Sequence, residues 1–61
     1  MSSDRVTERA LEAIADRLEA WADSEELWAR RMRNEQQAAK ARCKATNYRA
    51  LAQIAREALA A

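Results

Sequence analysis

The chain contains no glycine and no proline among its 61 residues, and this absence restricts its fold more than any other feature. Glycine supplies the positive φ that many tight turns need, and proline fixes the φ of others. Alanine, the strongest helix former, accounts for 16 residues, whereas Val, Ile and Thr together number only five. Because β-branched residues are those that favour strands, the composition predicts an all-α fold.

The first half of the chain carries an apolar stripe of the coiled-coil type. Its members are separated by 3, 4, 3, 7 and 4 residues, and Glu25 occupies the position that is missing from the longest gap. Acidic residues lie nearly opposite on a helical wheel, which indicates an amphipathic helix. The apolar stripe consists of Leu11, Ile14, Leu18, Trp21, Trp28 and Met32, and the acidic face of Asp4, Glu8, Glu12, Asp16, Glu19, Asp23 and Glu26.

The second half is richer in small residues, since ten of the last 24 residues are alanine. A weaker helical stripe runs through Ala41, Ala45, Tyr48, Leu51, Ala52, Ala55 and Leu59, with Ile54 and Ala58 at its edge. Small side chains allow two helix axes to approach closely. The pattern therefore predicts a thin second helix that lies against the bulkier first one.

A connection between the two helices is best placed at Asn34. Asn is a preferred N-cap residue, and a polar segment of the helix-initiating type follows it. A break here leaves Arg30, Arg31 and Arg33 at the end of the first helix, where cations interact favourably with the helix dipole. It also puts Glu35 at the start of the second helix, where an anion is favourable.

Other connections remain open. Asp23 with Glu26 three residues later is also a capping pattern, and a break there would give three short helices. It would also explain why Glu25 interrupts the apolar stripe. Thr46 and Asn47 form a weaker start signal, and a single unbroken helix is the remaining possibility.

The hydrophobic content is small for a chain that must form a core by itself. We expect one helical domain over residues 1–61, with helices over about 4–33 and about 35–60. Chains shorter than roughly 70 residues rarely stabilise a core alone, so we expect a homo-oligomer, most simply a dimer of antiparallel hairpins that forms a four-helix bundle. The residues expected in this core, or as anchors for a protein partner, are Leu11, Ile14, Leu18, Trp21, Trp28, Met32, Tyr48, Leu51, Ile54 and Leu59.

The charges are divided along the sequence. Residues 1–29 have a net charge of −5 and residues 30–61 a net charge of +6. One hypothesis is that the basic half contacts nucleic-acid phosphates. The other is that its cations face the acids of the first helix and set the antiparallel pairing. The residues that could contact nucleic acid or an acidic partner are Arg30, Arg31, Arg33, Lys40, Arg42, Lys44 and Arg49.

The chain offers little for catalysis. It has no histidine, so the commonest general base and metal ligand is missing, and Cys43 has no identifiable base partner. Without glycine it has no phosphate-cradling loop. We expect no enzyme activity, no catalytic residue, no cofactor, no metal and no small-molecule substrate.

The expected function is binding. The sequence predicts a small cytoplasmic helical interaction protein, acting as a regulator, inhibitor or assembly subunit, that self-associates and presents a charge-divided surface to another macromolecule. A nucleic-acid-binding dimer that uses the basic 30–49 segment is the alternative. We expect no membrane association, because no charge-free apolar run is long enough to span a bilayer and the bulky apolar face lies opposite an acidic one.

Overall fold

The computed structural model describes residues 2–61, with side chains from Arg5 onward, and it is a hairpin of two helices. Helix α1 spans Ser2–Arg31 and helix α2 spans Glu35–Ala60. The molecule is a thin rod with dimensions of 51 × 15 × 11 Å. The all-α hairpin predicted from the sequence is thus confirmed.

The turn is built around Asn34, as predicted. Asn34 has an extended backbone, with φ −80° and ψ 117°, and its side-chain oxygen accepts hydrogen bonds from the backbone N–H groups of Gln36 and Gln37 at 2.9 and 3.2 Å. These bonds satisfy two of the N–H groups that a helix leaves without a partner in its first turn. No residue of the described chain has a positive φ. A chain without glycine can therefore make this turn without backbone strain.

The charges near the turn agree with the helix dipoles. Arg30 and Arg31 lie in the last turn of α1, and Glu35 lies in the first turn of α2. Helix α1 continues without a break through Asp23, so the alternative with three short helices is not adopted. It ends slightly earlier than the sequence indicated, and Arg33 lies in the connection between the helices.

The two helices meet along a surface made almost entirely of alanine, which we call the alanine seam. Its only large buried side chain is Leu18, at 8% exposure. Leu11, Tyr48 and Met32 are half-buried and pack against its margins. The buried hydrophobic residues of the described chain are Ala15, Leu18, Ala22 and Ala29 of α1 with Ala38, Ala41, Ala45, Ala52 and Ala55 of α2.

The seam has the regular spacing of a coiled coil. Ala15, Ala22 and Ala29 recur every seven residues in α1, and α2 contains a matching series at 38, 45 and 52. A seven-residue repeat keeps one face of a helix turned toward its neighbour over several turns. Methyl side chains occupy little volume, so the backbones can lie close together. The fold is therefore closed by small residues, and the large ones are left for other positions.

Candidate interaction surfaces

One long edge of the hairpin is closed by ion pairs between the helices, and we call it the charged edge. Arg49 binds Glu26 and lies 2.7 Å from an Asp23 oxygen. Arg56 lies 2.8 Å from Glu19 and 3.1 Å from Asp16. The expectation that basic residues of the second helix face acids of the first is thus met at these two arginines. Each arginine contacts two carboxylates on successive turns of α1, which is possible because α1 places its acids one turn apart.

The carboxylates hold both guanidinium groups in the charged state. The hydrogen bond to Glu26, with the nearby charges of Glu26 and Asp23, raises the pKa of Arg49 above its ordinary value. Hydrogen bonds to Glu19 and Asp16 do the same for the pKa of Arg56. Because the folded-state pKa is raised, these contributions persist at every pH below the ordinary pKa of arginine and are lost only above it. The arginines therefore do not act as a pH switch in the physiological range.

The opposite long edge is apolar and open to solvent, and we call it the apolar edge. Its α1 residues, Ile14, Trp21 and Trp28, are spaced by seven and therefore lie in one line along the helix. They are 50%, 51% and 57% exposed. On α2, Leu51 and Ile54 are 51% and 60% exposed. Five large side chains are thus presented to solvent along one side of the molecule.

A ring contact connects the two halves of the apolar edge. The rings of Trp21 and Tyr48 are 5.8 Å apart between centroids and tilted by 60°. On α2, the helical positions of Leu51 and Ile54 lie on the side of Tyr48 that faces away from Arg49. The apolar edge therefore lies across the molecule from the charged edge, and it is built from both helices.

Glu25 occupies a seam position near the apolar edge. It is half-buried, and within residues 5–61 the structure gives it no ion pair. It lines a shallow open groove with Met32, Lys40 and Lys44. A second groove, beside Trp21 and Tyr48, also includes Glu25. The apolar edge therefore contains one acidic group at its middle and two lysines toward the turn.

The third surface is the end of the rod that contains the turn. Arg42 pairs with Glu35 at 2.8 Å, but other cations around the turn form no ion pair in the described part of the chain. We call this surface the basic turn end, and it consists of Arg30, Arg31, Arg33, Lys40 and Lys44, all of them exposed. Residues 27–48 hold six cations and one acid, a net charge of +5, so the rest of the chain has a net charge of −4.

The structure separates the predicted core residues into two groups. Leu18 is buried in the alanine seam, and four others are half-buried at its margins: Leu11, Met32, Tyr48 and Leu59. The remaining five, Ile14, Trp21, Trp28, Leu51 and Ile54, form the apolar edge. Leu27 is exposed on another face of α1, at 48%.

The seam alanines of α1 were not anticipated from the sequence. The large residues of the apolar stripe drew attention to a face that is turned by a fraction of a helical turn from the one that contacts α2. The signal was nonetheless present, because Ala15, Ala22 and Ala29 repeat every seven residues and match the alanine repeat of α2. Alanine repeats of this type in both helices indicate the internal contact better than the bulky residues do.

The described residues show no feature of two other kinds of site. No group of three or more His, Cys, Asp or Glu side chains among them is arranged to hold a metal ion. Neither α1 nor α2, over the residues described, has a stretch with the length and apolarity that crossing a membrane requires. Cys43 is a free, exposed thiol.

Comparison with protein-family models, with curated proteins and with solved structures gives no match to this chain. The functional argument therefore depends on the three surfaces of the hairpin.

Proposed function

We propose that this chain is a small non-enzymatic helical interaction protein that self-associates through its apolar edge. In this state it presents a charge-divided surface to another macromolecule. The observation that carries the proposal is the placement of the large hydrophobic side chains. Five of them line one edge at half exposure or more, whereas the hairpin closes on itself with alanine. A surface of this kind gains stability when another apolar surface covers it.

The size of the apolar edge suits a dimer. Its five large side chains expose roughly 500 Å² between them, given the area of aromatic and aliphatic side chains. A stable interface covers about 800 Å² on each partner, and the aliphatic stems of neighbouring Lys40 and Lys44 can supply part of the difference. Two copies related by a two-fold axis would cover the same edge on both chains, as in most homodimers.

The charge distribution favours an antiparallel alignment of the two rods. The turn end has a net charge of +5 and the rest of the chain −4. With the two-fold axis perpendicular to the rod, the basic turn end of one copy lies beside the acidic part of the other. A parallel alignment would place the two basic ends together. Charge complementarity therefore supports a second copy as the occupant of the apolar edge and sets its direction.

The test is the mass in solution over a dilution series, by sedimentation equilibrium. The edge variant Trp28→Ala/Ile54→Ala truncates the two most exposed residues of the apolar edge, at 57% and 60%. The control Val6→Ala/Leu27→Ala removes two large residues that are 67% and 48% exposed on other faces. We expect a dimer for the unmodified chain and the control, and a dissociation constant raised at least tenfold for the edge variant.

Two results would contradict the proposal. One is a monomer of the unmodified chain at every concentration, and the other is equal weakening by the two pairs of substitutions. Far-UV circular dichroism of each variant verifies that the helices remain, so a loss of mass cannot be attributed to unfolding.

A further inference from the structure

The basic turn end has cations that the fold itself does not use. The chain has 11 basic residues, and three of them, Arg42, Arg49 and Arg56, are engaged in ion pairs within the hairpin. The five residues of the basic turn end are exposed, and none of them is paired within residues 5–61. A helical hairpin that needed cations only for its own pairing would not require this group.

The five cations are gathered at one end of a long molecule. Arg33 lies in the connection itself, and Arg30 and Arg31 close α1. Lys44 is ten residues beyond Asn34, which corresponds to about 15 Å along α2. The basic turn end therefore occupies less than a third of the 51 Å rod. Like charges held this closely repel each other, and an anionic partner relieves that repulsion.

We infer that the basic turn end binds the phosphodiester backbone of a nucleic acid. This inference rests on the proposed function, because it names the class of macromolecule that the self-associated protein binds. Phosphates follow one another every 3.4 Å along each strand of a duplex, so about four phosphates of a strand span the length of the basic turn end. Three of its cations are arginines, whose planar guanidinium groups bind phosphate oxygens in pairs.

The rest of the molecule restricts how the polyanion can approach. The acidic residues of α1 and the net charge of −4 outside the turn end repel phosphate along most of the rod. Binding is therefore end-on and independent of base sequence. In the antiparallel dimer the two basic turn ends lie at opposite extremities, so each dimer presents two separate sites for nucleic acid.

The decisive experiment compares two charge-matched variants. Arg31→Gln/Arg33→Gln/Lys40→Gln removes three cations from the basic turn end, and Arg5→Gln/Arg9→Gln/Arg17→Gln removes three from the first half of α1. Both lower the net charge by the same amount, and glutamine preserves helix propensity. The probes are fluorescein-labelled double-stranded and single-stranded oligonucleotides of random sequence, and fluorescence anisotropy is recorded from low to physiological salt.

We expect the unmodified chain and the control to bind at low salt, with affinity that falls steeply as salt is raised. The turn-end variant should bind at least tenfold more weakly, and the slope of log K against log salt should be shallower by about three. Equal loss in the two variants would overturn the inference, because binding would then follow net charge alone. Absence of binding to either probe at low salt, or binding of polyglutamate in place of the oligonucleotides, would overturn it as well.

The outcome is distinguishable from failure of the proposed function. The turn-end variant keeps every residue of the apolar edge, so its mass in solution should equal that of the unmodified chain. If the unmodified chain is monomeric, self-association is disproved, but a single turn end can still be tested for binding with the same probes. If the chain is dimeric and binds no nucleic acid, only the partner class is wrong.

Discussion

The alanine seam and the apolar edge divide the hydrophobic residues of the hairpin in the reverse of the usual arrangement. The seam is buried, and eight of its nine residues are alanine. The apolar edge is half-exposed and holds both tryptophans with three aliphatic side chains. In most small domains the large residues fill the interior and the small ones fill gaps. Here the interior contact is between methyl groups.

The difference shows that geometric closure and hydrophobic burial are separate requirements. Alanine lets two helices lie close together and fixes their relative direction, but each buried methyl group removes little apolar surface from water. The tryptophans and isoleucines hold the larger part of the available hydrophobic free energy, and the hairpin leaves it unused. A hairpin of this kind has a defined shape as a single chain and gains most of its stability when the apolar edge is covered.

The largest expected effect comes from enlarging a seam residue. Ala22 is fully buried, and Ala22→Leu would force the helices apart because no space is available for three more carbon atoms. We expect the free energy of unfolding to fall by about 3 kcal/mol. Ala20→Leu, on an exposed position of the same helix, is the control and should leave stability nearly unchanged. The measurement is urea denaturation followed by circular dichroism.

The opposite result would break the comparison at its first term. If Ala22→Leu were neutral or stabilising, the helices would not be in close contact there. The seam would then be a loose contact and not the element that closes the fold.

The second prediction concerns the apolar edge and the dependence of stability on concentration. Binding of a second copy to the folded state alone stabilises that state, by about 2.7 kcal/mol at a concentration a hundredfold above the dissociation constant. The melting temperature of the unmodified chain should therefore rise with protein concentration, and that of Trp21→Ala should rise much less. Leu27→Ala, which lies outside the edge, should behave as the unmodified chain. A melting temperature that is independent of concentration in all three would show that the edge stays uncovered.

The sequence predicted the closure of the hairpin better than the division of its hydrophobic residues. The turn at Asn34 could be located because capping and dipole preferences are local, and they depend only on residues next to one another in the chain. The pairing of Arg49 and Arg56 with acids of the first helix followed from the charge difference between the two halves.

The seam of α1 could not be located in the same way. Hydrophobicity scales give Trp21 and Ile14 more weight than Ala22, so the bulky residues dominate the helical stripe. Ala22 and Trp21 are adjacent in sequence and differ in direction by only about 100°. The choice between them depends on the shape of the second helix, whose alanines accept a flat neighbour. That is a tertiary property, and matching the alanine repeats of the two helices is what makes it visible.

A smaller effect is expected at the turn, on which both regions depend. The Asn34 side chain accepts two backbone hydrogen bonds, and Asn34→Ala removes them. We expect a loss of about 1 kcal/mol in the free energy of unfolding. The control is Asn47→Ala in the interior of α2, where alanine is the better helix former and stability should not fall. Because the apolar edge contains residues of both helices, fraying at the turn should also weaken self-association, which sedimentation can measure.

The smallest effect is expected at the charged edge, which is the counterpart of the apolar edge across the seam. Its ion pairs are partly exposed, with 40% of the Arg49 side chain accessible, and exposed pairs contribute little because water and salt screen them. Arg49→Met keeps most of the aliphatic stem and should lower the melting temperature by no more than a few degrees at low salt, with no further change at high salt. Arg42→Met, which removes a pair within α2 alone, should have still less effect. A loss at Arg49 as large as that at Ala22 would mean that charge pairing closes the hairpin and that the alanine seam only follows it.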